Sequence, residues 1–342
     1  ENTLGMLYRE RGADGSWRGG AMLYLKNGLH SPLLAGAFAL FCVLASFGIG
    51  NMSQVNSMVS NVYTAFGIPK LATGIFLFVA VSLVVIGGLK RIAAITEKVV
   101  PFMVLLYLLG TLVIIGMNIS TIPAVFVSIF KGAFAMKSVG GGIVGSGIAL
   151  AMKMGMKRGV FSNEAGLGSA PIAAAAAKTK DTVRQGLVSM TGTFIDTIVI
   201  CTMTGLAIVI AGSWANPDLK GVAITTVAFQ SGLPFPSVVS SFVLMICLAF
   251  FAFTTILGWD YYSERCLEYL SNRNKTVVKV YRWIYVLAVF IGPYLTVAAV
   301  WTIADIFNGL MAIPNVIALI ALSGVVAKET RDYFKEFDRL SK

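Results

Sequence analysis

The sequence predicts an all-α integral membrane fold, and three observations carry that prediction. Hydrophobic residues make up 57% of the chain against 13% charged, with a mean hydropathy of +0.81, a balance that soluble domains do not reach. Apolar runs of about 20 residues recur, the length at which a helix crosses a bilayer core with all its backbone hydrogen bonds made internally. Between the runs, Lys and Arg collect in alternate loops, as they do on the inner side of a membrane. The short alternating strands of a membrane barrel are absent.

In chain order the predicted spans are 35–66, 69–88, 98–118, a region within 122–159, 184–212, 236–262, 280–299 and 302–327. That makes about eight transmembrane helices, one of them broken. Their apolar periodicity is weak, as expected for helices that are apolar all round. The whole chain, 1–342, reads as a single transmembrane domain. A cytoplasmic loop covers 1–30, a cytoplasmic segment 160–182 and a cytoplasmic tail 328–342.

The basic residues set the orientation. Arg9, Arg11, Arg18 and Lys26, then Lys90, Arg91 and Lys98, then Lys178, Lys180 and Arg184, then Arg265, Arg273, Lys275, Lys279 and Arg282 fall on one side, with the C-terminal tail. The opposite loops hold Lys70, Lys131, Lys137 and Lys220. Both ends of this chain are therefore expected in the cytoplasm. The net charge of +11 is spread over alternating loops and never forms one groove, so no nucleic-acid partner is expected.

Enzymatic chemistry finds little support. Cys42, Cys201, Cys247 and Cys266 fall in or beside apolar runs without CxxC spacing and read as packing residues. His30 is the lone histidine, and no HExxH, GxSxG or GxxxxGK[ST] motif occurs. The opening segment, ENTLGMLYRERGADGSWRGGAMLYLKNGL, begins without Met and reads as a polar loop between two spans. A preceding segment is expected from it.

Polar residues inside spans mark ion or substrate pathways, because lipid makes them costly. Ser46, Gly50, Ser53, Gln54, Ser57 and Asn61 fall within one helical face of the first span. Small and hydroxyl residues there serve equally well as contacts between helices, whereas the amide of Gln54 offers donors and an acceptor that packing does not require. Gly140, Gly141, Gly142, Gly145 and Gly147 separate two half-length apolar stretches. A helix broken there would present backbone groups to an ion and a carboxylate; the alternative is an outer loop preceding a short helix.

Thr193, Asp196, Thr197 and Thr204 share a narrow arc of the fifth span, where a lone carboxylate calls for a cation or a hydrogen-bond network. Thr254 and Thr255 offer hard oxygen ligands for an alkali ion one turn before Trp259, or simply bond back to their own helix. Trp259 suits a pocket wall or an interface anchor. In the run RGVFSNEAGLGSAPIAAAAAKTKD, Ser162, Asn163 and Glu164 read as a helix start or as a latch of an inner gate. The same run alternatively enters the membrane as an Ala-rich half-helix.

The stretches GNMSQVNS, RGVFSNEAGLGSAP with KTKDTVRQG, GTFIDTIVICTMTGL, AFTTILGWDYYSERCLEYL and VWTIADIFNGLMAIPN resemble the successive signatures of the alanine or glycine:cation symporter family, nearly end to end. The resemblance implies a leucine-transporter-type fold of two inverted five-helix repeats, with Na+-driven uptake of alanine, glycine or similar amino acids. On that template the first span here is the third core helix and the last is the tenth. The resemblance puts Gln54, Gly50, Gly141, Gly142, Gly145 and Trp259 at the substrate and Thr254, Thr255, Asp196 and Thr197 at sodium. It makes the glycine-rich break the discontinuous sixth helix, within 122–159.

A monomeric, multi-pass protein of the plasma membrane is therefore expected, symporting a small neutral amino acid with a sodium ion by alternating access. A proton-coupled transporter of the same architecture would use Asp196 as its titratable group. An ion channel would carry flux that does not saturate with amino acid. A membrane enzyme would need a catalytic constellation that the sequence lacks.

Overall fold

The computed structural model describes residues 1–12, 15–87, 89–134 and 144–340, and the chain is helical nearly throughout. The helices are α1 (Asn2–Leu7), α2 (Ala21–Asn27), α3 (Pro32–Phe66), α4 (Lys70–Val85), α5 (Leu89–Met117), α6 (Ile122–Phe134) and α7 (Val144–Asn163). They continue with α8 (Ala170–Ala174), α9 (Thr182–Ala211), α10 (Val222–Gly232), α11 (Ser237–Leu270), α12 (Lys275–Ile291), α13 (Val297–Ala321) and α14 (Ser323–Leu340). A two-residue antiparallel pair, Glu10–Arg11 with Trp17–Arg18, links α1 to α2.

Helix ends follow local chemistry. Asp181 accepts from the amides of Val183 and Arg184 at 3.1 and 3.0 Å to start α9, and Ser31 caps α3 ahead of Pro32. Gly67 closes α3 and Gly212 closes α9, both in the left-handed conformation.

Among the described residues, six helices are long and apolar enough to cross a membrane: Pro32–Phe66, Ala94–Met117, Thr182–Ala211, Ser237–Leu270, Lys275–Tyr294 and Val297–Ala321. The stretch 69–88 gives the shorter helix α4, and 122–159 gives the short α6 and the 20-residue α7, none of them among the six; the six are fewer than the expected eight, one of them broken. Between the expected fifth and sixth spans, α10 has no counterpart; its eleven residues are too short for the span rule to register. The outward faces carry large apolar side chains, Leu33 at 82% and Ile320 at 72% exposure among them. Water would penalise such a surface, and lipid does not.

The core lies where α3 crosses α11, α12 and α13. Phe38, Ile49, Ile256, Leu257, Trp259, Tyr285, Ala304 and Met311 are buried there. Gly48 allows the backbones of α3 and α13 to meet: a Cβ at that position would lie 2.9 Å from the Cα of Ala304.

The segment 1–30 is not a simple loop. Leu4, Met6, Ala21, Leu23, Tyr24 and Leu25 are buried, because α1 packs on α8 and α9 and α2 packs on α3. The apolar residues interspersed among its charges need this cover. Cys42, Cys247 and Cys266 are buried free thiols, in keeping with packing.

Candidate functional site

Among the described residues, two spans carry π turns, and both do so at polar residues. Ser46–Met52 in α3 and Ile195–Cys201 in α9 are π turns, which bond i to i+5 and recur at functional sites. Each adds residues to its turn and re-aims the side chains that follow, so the single faces drawn at 3.6 spacing are split.

In α3, Ser46 shares a 2.9 Å hydrogen bond with the hydroxyl of Tyr281, and Asn51 donates to the carbonyl of Tyr285 at 2.8 Å. Asn61 donates to Thr226 of α10 at 2.9 Å. These residues join helices. Half-buried Gln54 turns back to donate to the Ile49 carbonyl at 3.0 Å. Gly50 is buried directly under Trp259: a Cβ there would fall 2.2 Å from the Trp259 Cβ.

The same split occurs in α9. Thr204 meets the hydroxyl of Tyr107 at 2.6 Å, whereas Asp196 and Thr197 face the end of α7. Ser162 Oγ donates to both Asp196 oxygens, at 3.0 and 2.8 Å, and Asn163 Nδ2 donates to Thr197 Oγ1 at 2.9 Å. Here the polar cluster around Asp196 is complete on one side and open on the other.

Ser162, Asn163 and Glu164 therefore end a helix; they do not begin one. Glu164 has a φ of +55°, and Gly166 and Gly168 have φ of +88° and +85°. Glycine takes this left-handed backbone freely, but a glutamate there is strained and needs its surroundings to hold it. Asn163 Oδ1 accepts the Ala165 amide at 2.9 Å, Asn315 Nδ2 donates to the Gly166 carbonyl at 2.9 Å, and the Asn315 Oδ1 accepts from Tyr24. Gly168 sits so close to α3 that a Cβ would approach Phe38 to 2.6 Å.

The strained Glu164 joins this turn to the core. Its Oε1 accepts from Trp259 Nε1 at 2.9 Å and its Oε2 from Ser169 Oγ at 2.6 Å. Trp259 packs edge-on to Tyr262, with ring centroids 5.6 Å apart. A cavity of about 470 Å³ opens here, lined by Ser162, Asn163, Glu164, Thr193, Asp196 and Tyr262 among others, within the usual size range of small-ligand pockets. Below the turn, Asp305 of α13 pairs with Lys157 and, at 3.2 Å, with Arg158 of α7. The Arg158 guanidinium also lies 4.2 Å from the Trp301 ring centroid.

Glu164 lies in the turn, outside the spanning helices, and burial pushes its carboxyl up to about 7. The hydrogen bonds from Ser169 and Trp259 oppose that shift, and the neighbouring Glu1 and Asp196 charges add to it. Between pH 4.5 and 7 the folded chain thus holds a proton that the unfolded chain has released. Stability from this group is complete below the ordinary carboxylate range and is lost as pH rises through about 7. Glu164→Gln is expected to flatten this limb when the unfolding temperature is compared from pH 5 to 8; a variant with the wild-type slope would assign the proton elsewhere.

The remaining expected residues divide. Gly50 and Trp259 meet, and Asp196 and Thr197 join Ser162 and Asn163. Thr254 donates back to the carbonyls of Phe250 and Phe251 at 2.9 and 3.1 Å, while Thr255 is half-buried. Gly145 falls in the first turn of α7; Gly140, Gly141 and Gly142 lie outside the described residues. Asn315 was not singled out by sequence reasoning. The signal for it was its place at the end of VWTIADIFNGLMAIPN.

Long apolar helices, interrupted by π turns and left-handed breaks around a polar cavity, define a multi-pass membrane transport protein. The profile of the Sodium:alanine symporter family matches residues 1–341, and the chain belongs to that family. It is 48% identical to an uncharacterized transporter of Haemophilus influenzae over 98% of this chain and 73% of that protein. It is 46% identical to the sodium/alanine symporter AgcS of Methanococcus maripaludis over 97% of this chain and 73% of that one. To the probable sodium/glutamine symporter GlnT of Bacillus subtilis it is 38% identical, over 98% and 68% respectively. The family and these relatives are transporters, not enzymes.

Proposed function

We propose that the protein is a secondary active transporter of the plasma membrane that symports a small neutral amino acid, alanine or glycine, with sodium. The observation that carries this reading is the open polar cluster of Asp196, Thr197, Ser162 and Asn163 beside the Glu164–Trp259 bond. The relative named a sodium/alanine symporter supports the choice of ion and substrate.

Asp196 supplies a carboxylate, and the surrounding hydroxyl and amide oxygens supply neutral donors of the hard type that sodium prefers. A cation at this cluster offsets the cost of a charge held inside a span. Its field then favours the carboxylate end of an amino acid in the adjoining cavity. Tyr262 and Glu164 line that cavity, Trp259 backs both of them, and Gly50 lets Trp259 stand against α3.

Alternating access follows from changing which side of the membrane reaches the cavity, by rocking one group of helices against another. The Lys157–Arg158–Asp305 contact and the strained turn at 164–168 are the elements suited to break and re-form. Coupling is reciprocal: if sodium tightens alanine, alanine tightens sodium by the same factor. A membrane potential near 100 mV adds about 2.3 kcal/mol per charge carried inward.

Labelled alanine uptake by cells expressing the full-length protein tests the proposal directly. Replacing sodium with choline is expected to remove concentrative uptake; uptake unaffected by the exchange would overturn it. In the same assay Thr254→Ala with Thr255→Ala is expected to raise the half-saturating sodium concentration, and Gln54→Ala the half-saturating alanine concentration. Unchanged values would remove those residues from the two sites.

A proton-coupled reading is favoured by the placement of Glu164, a carboxyl that lines the cavity, is held by Trp259 and Ser169, and is pushed up by burial to about 7. One relative, 36% identical, is named a putative sodium/proton-dependent alanine carrier. Uptake that follows a pH gradient with sodium absent would select this reading.

A further inference from the structure

A second cavity lies away from the site, where the start of α12 meets the end of α4. It measures about 420 Å³ and is lined by four cations, Arg273, Lys275, Lys279 and Arg282, against the single carboxylate of Glu268. Its other wall is apolar, with Trp283 and Ile86 more than half exposed at its rim.

The local ion pairs do not neutralise it. Glu268 is already engaged by Arg265 at 3.0 Å and Arg18 at 3.5 Å, Arg282 is bound to Glu264, and Arg273 reaches Glu10 at 3.6 Å. Lys275 and Lys279 make no ion pair among the described residues. Their position is electrostatically unfavourable: both stand in the first turns of α12, where the amides capped by Asn274 already present the positive end of the helix dipole. A folded chain that stacks cations on that end is stabilised by an anion.

Position selects the anion. Both helices carry exposed large apolar side chains here, Leu83 and Ile86 at the end of α4 and Trp283 and Ile284 on α12, so the cavity is cationic at the helix ends and apolar along its exposed side. That is the arrangement that takes a phosphate headgroup above and an acyl chain beside it.

We infer that this cavity is a binding site for an anionic phospholipid, with Lys275 and Lys279 holding the headgroup phosphate and Trp283 and Ile86 lying along the acyl chain. Occupancy would tie α12 to α4 and would make the fold sensitive to the lipid around it.

The test uses purified full-length protein in detergent, titrated with a short-chain phosphatidylglycerol, with the unfolding temperature as the readout. Phosphatidylglycerol is expected to raise it saturably, and a phosphatidylcholine of the same chain length is not. Lys275→Gln with Lys279→Gln is expected to raise the half-saturating lipid concentration by about fivefold per lysine lost. Lys70→Gln, at the far end of α4, with Lys220→Gln, in the loop before α10, is expected to leave it unchanged, and Lys275→Arg with Lys279→Arg is expected to restore it. Equal titrations for wild type and the Lys275, Lys279 glutamine variant would overturn the site. An equal response to inorganic phosphate would overturn the choice of a lipid.

Discussion

Gly50→Val in the full-length protein is expected to lower alanine uptake by about 10- to 100-fold, corresponding to the overpacking cost of a well-filled core. The added side chain would start 2.2 Å from the Cβ and 2.3 Å from the Cγ of Trp259. Neither atom is the far end of a flexible chain, so the indole itself has to move. Moving it breaks the 2.9 Å bond to Glu164 and releases the strained turn from the core. Because Gly50 touches none of the Asp196 cluster, the loss is expected in alanine affinity and maximal rate more than in sodium activation. Uptake kinetics normalised to the amount of protein at the membrane check this. A Gly50→Val protein with wild-type uptake would mean that Trp259 has no part in the pocket.

Asp196→Asn is expected to raise the half-saturating sodium concentration by at least about tenfold, the usual scale for removing the charged partner of a hydrogen-bonded cluster. The substitution keeps the size of the side chain and leaves an oxygen for Ser162 Oγ, which now reaches both carboxylate oxygens at 3.0 and 2.8 Å. What it removes is the charge. Since Asn163 remains bound to Thr197 at 2.9 Å, the end of α7 stays in place and the protein is expected to reach the membrane. Sodium activation curves at fixed alanine measure the effect, and an unchanged curve would place sodium away from Asp196.

How much of this was legible in the sequence varies by element. The long spans built on 35–66, 98–118, 184–212 and 236–262 follow from apolar run length, and the structure has helices in those places. The helix Val222–Gly232 did not follow, because VAITTVAFQSG is apolar yet too short to register as a span. The polar character of residues 1–30 predicts a loop, and only the partners supplied by the fold bury Leu4, Tyr24 and Leu25.

The site shows the same division. Asp196, Trp259 and Gly50 stood out as polar, aromatic or small residues in lipid-like surroundings. Their partners did not: the bond from Trp259 to Glu164 spans 95 residues, and no local pattern encodes it. The π turns at Ser46–Met52 and Ile195–Cys201 also defeat a reading at 3.6 residues per turn, which placed Thr204 with Asp196 and Asn61 with Gln54. In RGVFSNEAGLGSAP, where Ser162, Asn163 and Glu164 suggest a helix start, the left-handed Glu164 has no signature of its own. Ser162, Asn163 and Glu164 of the run line the cavity of the candidate site.

The measurement that bears most directly on sodium-coupled transport at this cluster is a reciprocal binding titration on the purified full-length protein. Alanine affinity is taken with and without saturating sodium, and sodium affinity with and without saturating alanine, for wild type and Asp196→Asn. Sodium-coupled transport requires the two wild-type ratios to be equal and greater than one, and Asp196→Asn is expected to bring both close to one. Alanine binding that is indifferent to sodium in the wild type, or coupling that survives intact in Asp196→Asn, would contradict it.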